Sequence, residues 1–112
     1  MKFTLPVLEK ISTNKIYAGI HWTRRNKHKE AVRGLGYLVK GKITEFPVKL
    51  KFTFKLKGRV LDCSNLSYMG KMYEDMFVKS GLIPDDTPKY ISEVTYVSTK
   101  GDNEVDIEFT YA

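Results

Sequence analysis

The sequence has little of several things, and each shortage narrows what the chain can be. It holds one cysteine, Cys63, which excludes an internal disulfide framework and leaves too few thiols for a structural zinc site. A reducing interior suits such a chain better than secretion. No apolar run reaches membrane-spanning length. The opening M-K-F-T-L-P-V-L has no adequate apolar region for a secretory leader, so a soluble, cytoplasmic protein is expected. Linkers, repeats and low-complexity segments are missing too. Residues 1–112 therefore read as one domain, long enough for a single core without staples. With 42% hydrophobic and 29% charged residues, the composition excludes a disordered chain.

Negative charge is scarce in one half only. Residues 1–60 carry 15 Lys and Arg against 3 Asp and Glu, whereas residues 61–112 carry 4 against 10, for a total of +6. A basic half suits a polyanionic partner, because every phosphate neutralised releases counterions. An acidic half joined to it repels that partner unless metal ions mediate. The division is more informative than the total.

Periodicity gives the elements. Lys2 to Leu8 alternates Phe3, Leu5 and Val7 against polar neighbours and reads as a strand, with Pro6 favouring a sheet edge. Ile11 to Asn14 reads as a turn. Thr23 is placed to cap a helix running to about Val39, although Gly34 and Gly36 weaken its end. That helix carries Arg24, Arg25, Lys27, Lys29 and Arg33 just after Trp22 and His21. Bases beside an aromatic suit phosphate contact and base stacking; for Trp22 itself a core position is expected. His21 and His28 read as phosphate neighbours or surface groups, having no cysteine or acid at ligand spacing.

Pro47 to Lys57 is the cleanest strand, with Val48, Leu50, Phe52, Phe54 and Leu56 on one face and Lys49, Lys51, Thr53, Lys55 and Lys57 on the other. The lysine row suits a phosphate backbone and equally suits an exposed face that deters aggregation. Ile91 to Thr99 alternates less cleanly, with Val94 and Tyr96 on one face and Ile91 and Val97 on the other. After turn chemistry at Lys100-Gly101-Asp102-Asn103, Val105, Ile107, Phe109 and Tyr111 face inward and Glu104, Asp106 and Glu108 face solvent. The order is strand, helix, strands, helix, hairpin. It predicts an α+β domain with a mixed or antiparallel sheet of four to five strands and two helices packed on it.

The chain is organised around V-L-D-C-S-N-L-S-Y-M-G-K-M-Y-E-D-M-F-V-K-S-G-L-I-P-D-D, residues 60–86. A strand turns at Asp62-Cys63-Ser64-Asn65 into a helix capped by Asn65 or Ser64 and closed by Gly81 at the left-handed position past its end. On a helical wheel Leu66, Met69, Met72, Tyr73, Met76, Phe77 and Ser80 share a core arc. Lys71, Asp75, Glu74 and Ser67 gather opposite. Alone, that cluster is an i,i+4 Lys–Asp pair on a surface. Its flanks change the reading, because Asp62 lies at the helix entry and the adjacent Asp85 and Asp86 lie where the chain returns to the sheet. A carboxylate doublet in a turn is either fully solvated or bound to a cation. Hard cations such as Mg²⁺ take carboxylate oxygens, and a lysine beside such a site stabilises charge on a reacting phosphate.

These residues resemble the RusA family of Holliday junction resolvases. The family's core pattern is Asp-x-Asp-Asn, a lysine, an aspartate four residues on, and an Asp-Asp pair after a short loop. Asp62 and Asn65 match the first block, Lys71 and Asp75 keep the four-residue interval, and Asp85-Asp86 match the pair. The early S-T-N ending at Asn14, with Lys15 next and Arg24 and Arg25 soon after, is similar to the family's N-terminal segment and its basic region. The likeness covers most of the chain, but only 60–86 is specific. Ser64 stands where the family has its second aspartate, and the interval from Asn65 to Lys71 is three residues longer.

The resemblance implies a small homodimeric phage or prophage endodeoxyribonuclease, dependent on Mg²⁺ (Mn²⁺ as a substitute), that resolves four-way junctions or other branched DNA by paired nicks. It implies Asp62 and Asp86 on the metal, with Asp75, and Asp85 or Glu74, completing or supporting the site, and Lys71 stabilising charge near the scissile phosphate. The grip on DNA is expected from Asn14, Lys15, Arg24, Arg25, Lys27 and Lys29, and from Lys49, Lys51 and Lys55 of the lysine row. The alternative is a non-catalytic nucleic-acid-binding protein of the same fold whose metal site is lost at Ser64.

Overall fold

The computed structural model describes residues 1–19 and 22–111. Strand β1 (Lys2–Pro6) is followed by a short helix α1 (Thr13–Tyr17), helix α2 (Trp22–Arg33) and a 3₁₀ stretch (Gly34–Leu38). Then come β2 (Val48–Leu56), a 3₁₀ turn (Cys63–Asn65), helix α3 (Ser67–Lys79), β3 (Ile91–Lys100) and β4 (Glu104–Tyr111). The strands form one mixed sheet in the order β1-β4-β2-β3, with β2 and β3 parallel and the other pairings antiparallel. The domain is α+β, as its periodicity predicts. Among the described residues no helix is long and apolar enough to cross a membrane.

The alternation of β2 explains why it sits inside the sheet. Val48, Leu50, Phe52, Phe54 and Leu56 are all buried, and β4 adds Val105, Ile107 and Phe109 to the same face. Helix α3 lies against this face through Tyr73, which meets Phe52 and Phe54, and Phe77, which packs edge-on to Phe109 at 5.2 Å. Burying each such aromatic ring removes enough apolar surface to contribute about 2–3 kcal/mol. The Tyr73 hydroxyl also donates to the Pro6 carbonyl at 2.8 Å, tying the helix to β1. β1 is an edge strand, the position at which a proline is tolerated. Gly81 has φ +82°, the left-handed geometry expected past the end of α3.

The opposite face of the sheet is open, and it carries both signs of charge. Lys49 meets Glu93 of β3 at 3.5 Å, and Lys55 meets Asp106 of β4 at 3.0 Å. In register, Glu108 stands between Lys51 of β2 and Lys2 of β1. Lys49, Lys51 and Lys55 of the row therefore face carboxylates of the neighbour strands, and Glu104, Asp106 and Glu108 form the solvated face that the alternation predicts.

Several expectations are corrected. β3 and β4 are not a hairpin, because β2 lies between them and pairs with both. The turn after β3 crosses the end of β2, clasping it through Gly101 N–H to Leu56 O (3.0 Å) and Lys57 N–H to Asn103 Oδ1 (2.9 Å). Turn residues specify a reversal, not which strands become neighbours. The uneven alternation of β3 has a cause in a register shift: Val48 pairs with Ile91 but Lys49 with Glu93. The extra residue, Ser92, turns Ile91 to the core side with Val94 and Tyr96. Tyr111 ends its strand 62% exposed, and Ser80 is exposed at the end of α3.

Ile11 to Asn14 is not only a turn, since Thr13 begins α1 under a Ser12 cap. Thr23 lies within α2, which ends at Arg33, short of Val39. Trp22 is 66% exposed rather than in the core. The buried residues of α2 are His28 and Val32, one turn apart, and Trp22, six positions before His28, lies about 120° round the helix from it. His28 is thus a buried group and not a surface one; His21 lies outside the described residues.

The crossing turn makes a sharp prediction. A Cβ on Gly101 would stand 2.5 Å from Lys55 Cβ and 3.3 Å from Lys55 Cα, so the backbone itself must shift to admit it. Gly101→Ala is expected to destabilise the fold by about 1–3 kcal/mol, measured by urea unfolding. An unchanged midpoint would mean that the turn does not press on β2.

Candidate active site

The 60–86 stretch is built by two elements that cap each other. The Asn65 side chain accepts the Asn14 N–H of α1 at 3.1 Å, and Thr13 Oγ1 of α1 accepts the Tyr68 N–H of α3 at 3.2 Å. Thr13 and Ser67 also share a hydroxyl contact at 2.9 Å. Asn65 therefore serves α1, beside its Ser12 cap, and not its own helix, and the early S-T-N lies against D-C-S-N. Helix α3 has no side-chain cap of its own; its first residue but one is served by Thr13.

One end of the site is an acidic cluster around Lys71. Its ammonium binds Asp86, from the loop before β3, and lies 3.5 Å from Asp75, one turn along α3. The hydrogen bond from Lys71 holds the Asp86 carboxyl below the usual range, and the same bond raises the Lys71 pKa, so both are charged at neutral pH. Asp85 Oδ1 accepts the Asp86 N–H at 2.8 Å, setting the direction of the doublet.

Glu74 belongs to the same cluster but is placed differently from expectation. It is buried rather than solvated with Lys71. Its carboxyl is pushed up to about 6 by desolvation, which Lys71 opposes and the nearby Asp86 and Asp75 reinforce. It lies on the side of α3 that meets β3, where burial first, and then the Glu74 charge, raise the Tyr96 phenol. That close approach is possible because the previous turn carries Gly70, where a Cβ would fall 2.5 Å from the Tyr96 ring.

The other end of the site is basic. Asp62 and Asn65 line a cavity of about 390 Å³ with Lys10, Ser12, Lys15 and Arg59. Lys10 Nζ donates to the Arg59 carbonyl at 2.6 Å, which closes one wall. Asp62 is exposed, and none of the groups shifting Lys71 or Asp86 is Asp62. The structure thus brings Lys71, Asp75, Glu74, Asp85 and Asp86 together and sets Asp62 among three bases. Sequence reasoning missed Lys10 and Arg59, which lie 49 positions apart and carry no spacing signal.

The remaining predicted contacts fall on two other surfaces. Arg25 and Lys29 line a groove between α2 and α3, while Arg24 is held by Glu9 and Arg33 by Glu30. Lys49 and Lys55 lie on the open sheet face among acids.

Carboxylates are the donor type that Mg²⁺ or Mn²⁺ requires. Among the described residues no three His, Cys, Asp or Glu side chains are grouped as metal ligands would be. No protein-family model matches the chain, and no curated protein matches it.

The Glu74 shift predicts a pH dependence. Between about 4.5, the ordinary value, and about 6, the folded chain holds more protons at this carboxyl than the unfolded one. Its contribution to stability therefore falls as pH rises through that window. Glu74→Gln removes the cost, and is expected to stabilise the protein by about 1–2 kcal/mol at pH 8 and by almost nothing at pH 4.5. Denaturant melts at both pH values check this; an equal effect at both would exclude ionisation as the cause.

Proposed function

We propose that the protein is a divalent-metal-dependent endodeoxyribonuclease acting on branched DNA, as the resemblance to RusA resolvases implies. The observation that supports this best is the meeting of Lys71 with Asp75 and Asp86, from separate elements, beside a basic cavity that contains Asp62. Asp86 is the principal metal ligand in this reading, with the adjacent Asp85 as a further oxygen donor; Asp62 lies at the other, basic end of the site. A bound Mg²⁺ or Mn²⁺ supplies phosphate polarisation and a water of lowered pKa.

The chain's own residues do the rest. Lys10, Lys15 and Arg59 neutralise backbone phosphates at the Asp62 end, and Asn14 lies against them through its bond to Asn65. Lys71 offsets charge developing on the scissile phosphate. In the structure the same ammonium holds Asp86 and Asp75 in place against their mutual repulsion. Glu74, with its carboxyl near 6, takes or gives a proton close to neutral pH, the range in which a general acid or base works best. A four-way junction has approximate two-fold symmetry, so a C₂ homodimer would present two such centres to it. The open sheet face, with its lysines matched by acids, is left out of the grip.

The second reading is a DNA-binding protein that does not cut. Ser64, in place of the family's second aspartate, favours it.

Incubation with a synthetic four-way junction and Mg²⁺ or Mn²⁺ separates the two. Symmetric paired nicks are expected from the wild type and none from Asp86→Asn. Lys71→Met is expected to lower the cleavage rate by about 10²–10³ with little loss of junction affinity. Binding without nicks at every metal concentration would overturn the enzyme reading and leave the second one. Affinity that hardly changes with salt would count against both.

A further inference from the structure

We propose that the groove between α2 and α3 is a stacking site for an unpaired nucleotide, selecting DNA strands with unpaired bases next to the Lys71 cluster. The inference rests on the nucleic-acid reading above and deepens it by naming the feature of the substrate that is recognised.

The groove has a volume of about 320 Å³ and is lined by Trp22, Arg25, Asn26 and Lys29 of α2 and by Tyr68 and Met72 of α3. That volume is at the small end of the range for ligand sites, about 300–1,000 Å³, and suits a single nucleotide. Each lining group has a use for such an occupant. Trp22 is 66% exposed where a tryptophan would ordinarily be buried, and offers a wide face for stacking, as does the Tyr68 ring. The Met72 thioether adds a polarisable contact to an aromatic base. Arg25 and Lys29 supply cations for the flanking phosphates. The Asn26 amide can both donate to and accept from a base edge, which an unpaired base leaves open. Among the described residues no lining side chain is acidic; the nearby Glu9 is held by Arg24.

The α3 wall is built to stay in place. His28, buried at 5% exposure, stacks on the Tyr68 ring at 5.7 Å and 25°. Thr13 Oγ1 fixes the Tyr68 backbone. The groove also has a definite place relative to the acidic cluster. Tyr68 and Lys71 are three residues apart on one helix and Lys71 and Asp75 four, so they form neighbouring rows about 5–6 Å apart. A nucleotide held against Tyr68 places its strand alongside Lys71. Paired bases in continuous duplex have both faces covered by their neighbours, so duplex gains nothing here. Branch points, flaps and single strands do.

Trp22 is the sole tryptophan of the chain, so its fluorescence reports on the groove directly. The full chain is titrated at low salt with a thymidylate strand of about eight nucleotides, within the span of such sites, and with a blunt duplex. Quenched emission with the strand and unchanged emission with the duplex are expected. Trp22→Ala is expected to weaken strand binding by roughly five- to a hundred-fold, the effect of losing one stacked base, and Trp22→Phe to retain most of it. Far-UV circular dichroism melts confirm that both variants fold. Equal quenching by duplex, or a strand that binds with Trp22 emission and the Trp22→Ala affinity both unchanged, would overturn the groove while junction binding keeps the proposed function intact. A chain that binds neither the strand nor a four-way junction would overturn both.

Discussion

The reciprocal capping of α1 and α3 is the constraint on which the rest of the site depends. A helix N-terminus leaves several N–H groups without intrahelical partners, and here each of two helices borrows an acceptor from the other. Asn65 Oδ1 serves α1, and Thr13 Oγ1 serves α3. Each cap is worth on the order of 1 kcal/mol, a large share of a domain's marginal stability. Neither acceptor lies in the helix it serves, so the two segments hold their positions only together. Through this exchange the basic N-terminal half is fastened to the acidic C-terminal half, more than fifty positions away in sequence.

That fastening sets the electrical character of the two ends. Lys15 and Ser12 arrive with α1, and with Lys10 and Arg59 they surround Asp62 by cations. From there α3 runs to Lys71, where the loop returning to β3 delivers Asp85 and Asp86. The charge division that is visible in the composition is drawn to the two ends of one stretch of chain, a basic cavity around Asp62 and a carboxylate cluster around Lys71. A polyanion can be held at the first without being repelled by the second, provided a cation mediates there.

How much of this the sequence discloses depends on the range of the interaction involved. β2 is legible because both of its neighbours are strands and its alternation is uninterrupted. Gly81 and Pro6 are legible because their backbone geometry is a local property. The Lys71–Asp75 interval is legible because four residues is one helical turn. Trp22 and His28 are not, since the depth of a helix face depends on what packs against it: α3 covers His28 and Val32, leaving Trp22 at the groove mouth. The β3–β4 crossing is invisible to local chemistry, because the same turn residues serve a hairpin or a jump across one strand. Glu74 is the subtlest case. The helical wheel places it beside Lys71, and the structure does put the two within electrostatic reach. Its burial is decided by Tyr96, a residue of β3 that can come so near only because Gly70 has no side chain. A glycine in a helix interior costs about 1 kcal/mol relative to alanine, and the contact it admits offsets that cost.

Ser64 can now be weighed in structural terms. It is exposed in the 3₁₀ turn between Asp62 and Asn65, and the turn is held by its backbone, with Asn65 N–H on Asp62 O at 2.8 Å and Leu66 N–H on Cys63 O at 3.1 Å. The fold therefore makes no demand on the side chain at position 64, and an aspartate there would be accommodated as easily as a serine. What the serine changes is charge alone. Ser64 does not line the cavity that holds Lys10, Lys15 and Arg59, but it stands in the turn between two residues that do, Asp62 and Asn65, and one carboxylate fewer makes that turn less negative. In the proposed reading this change favours phosphate at the basic end of the site and leaves the holding of a metal to Asp86 at the other.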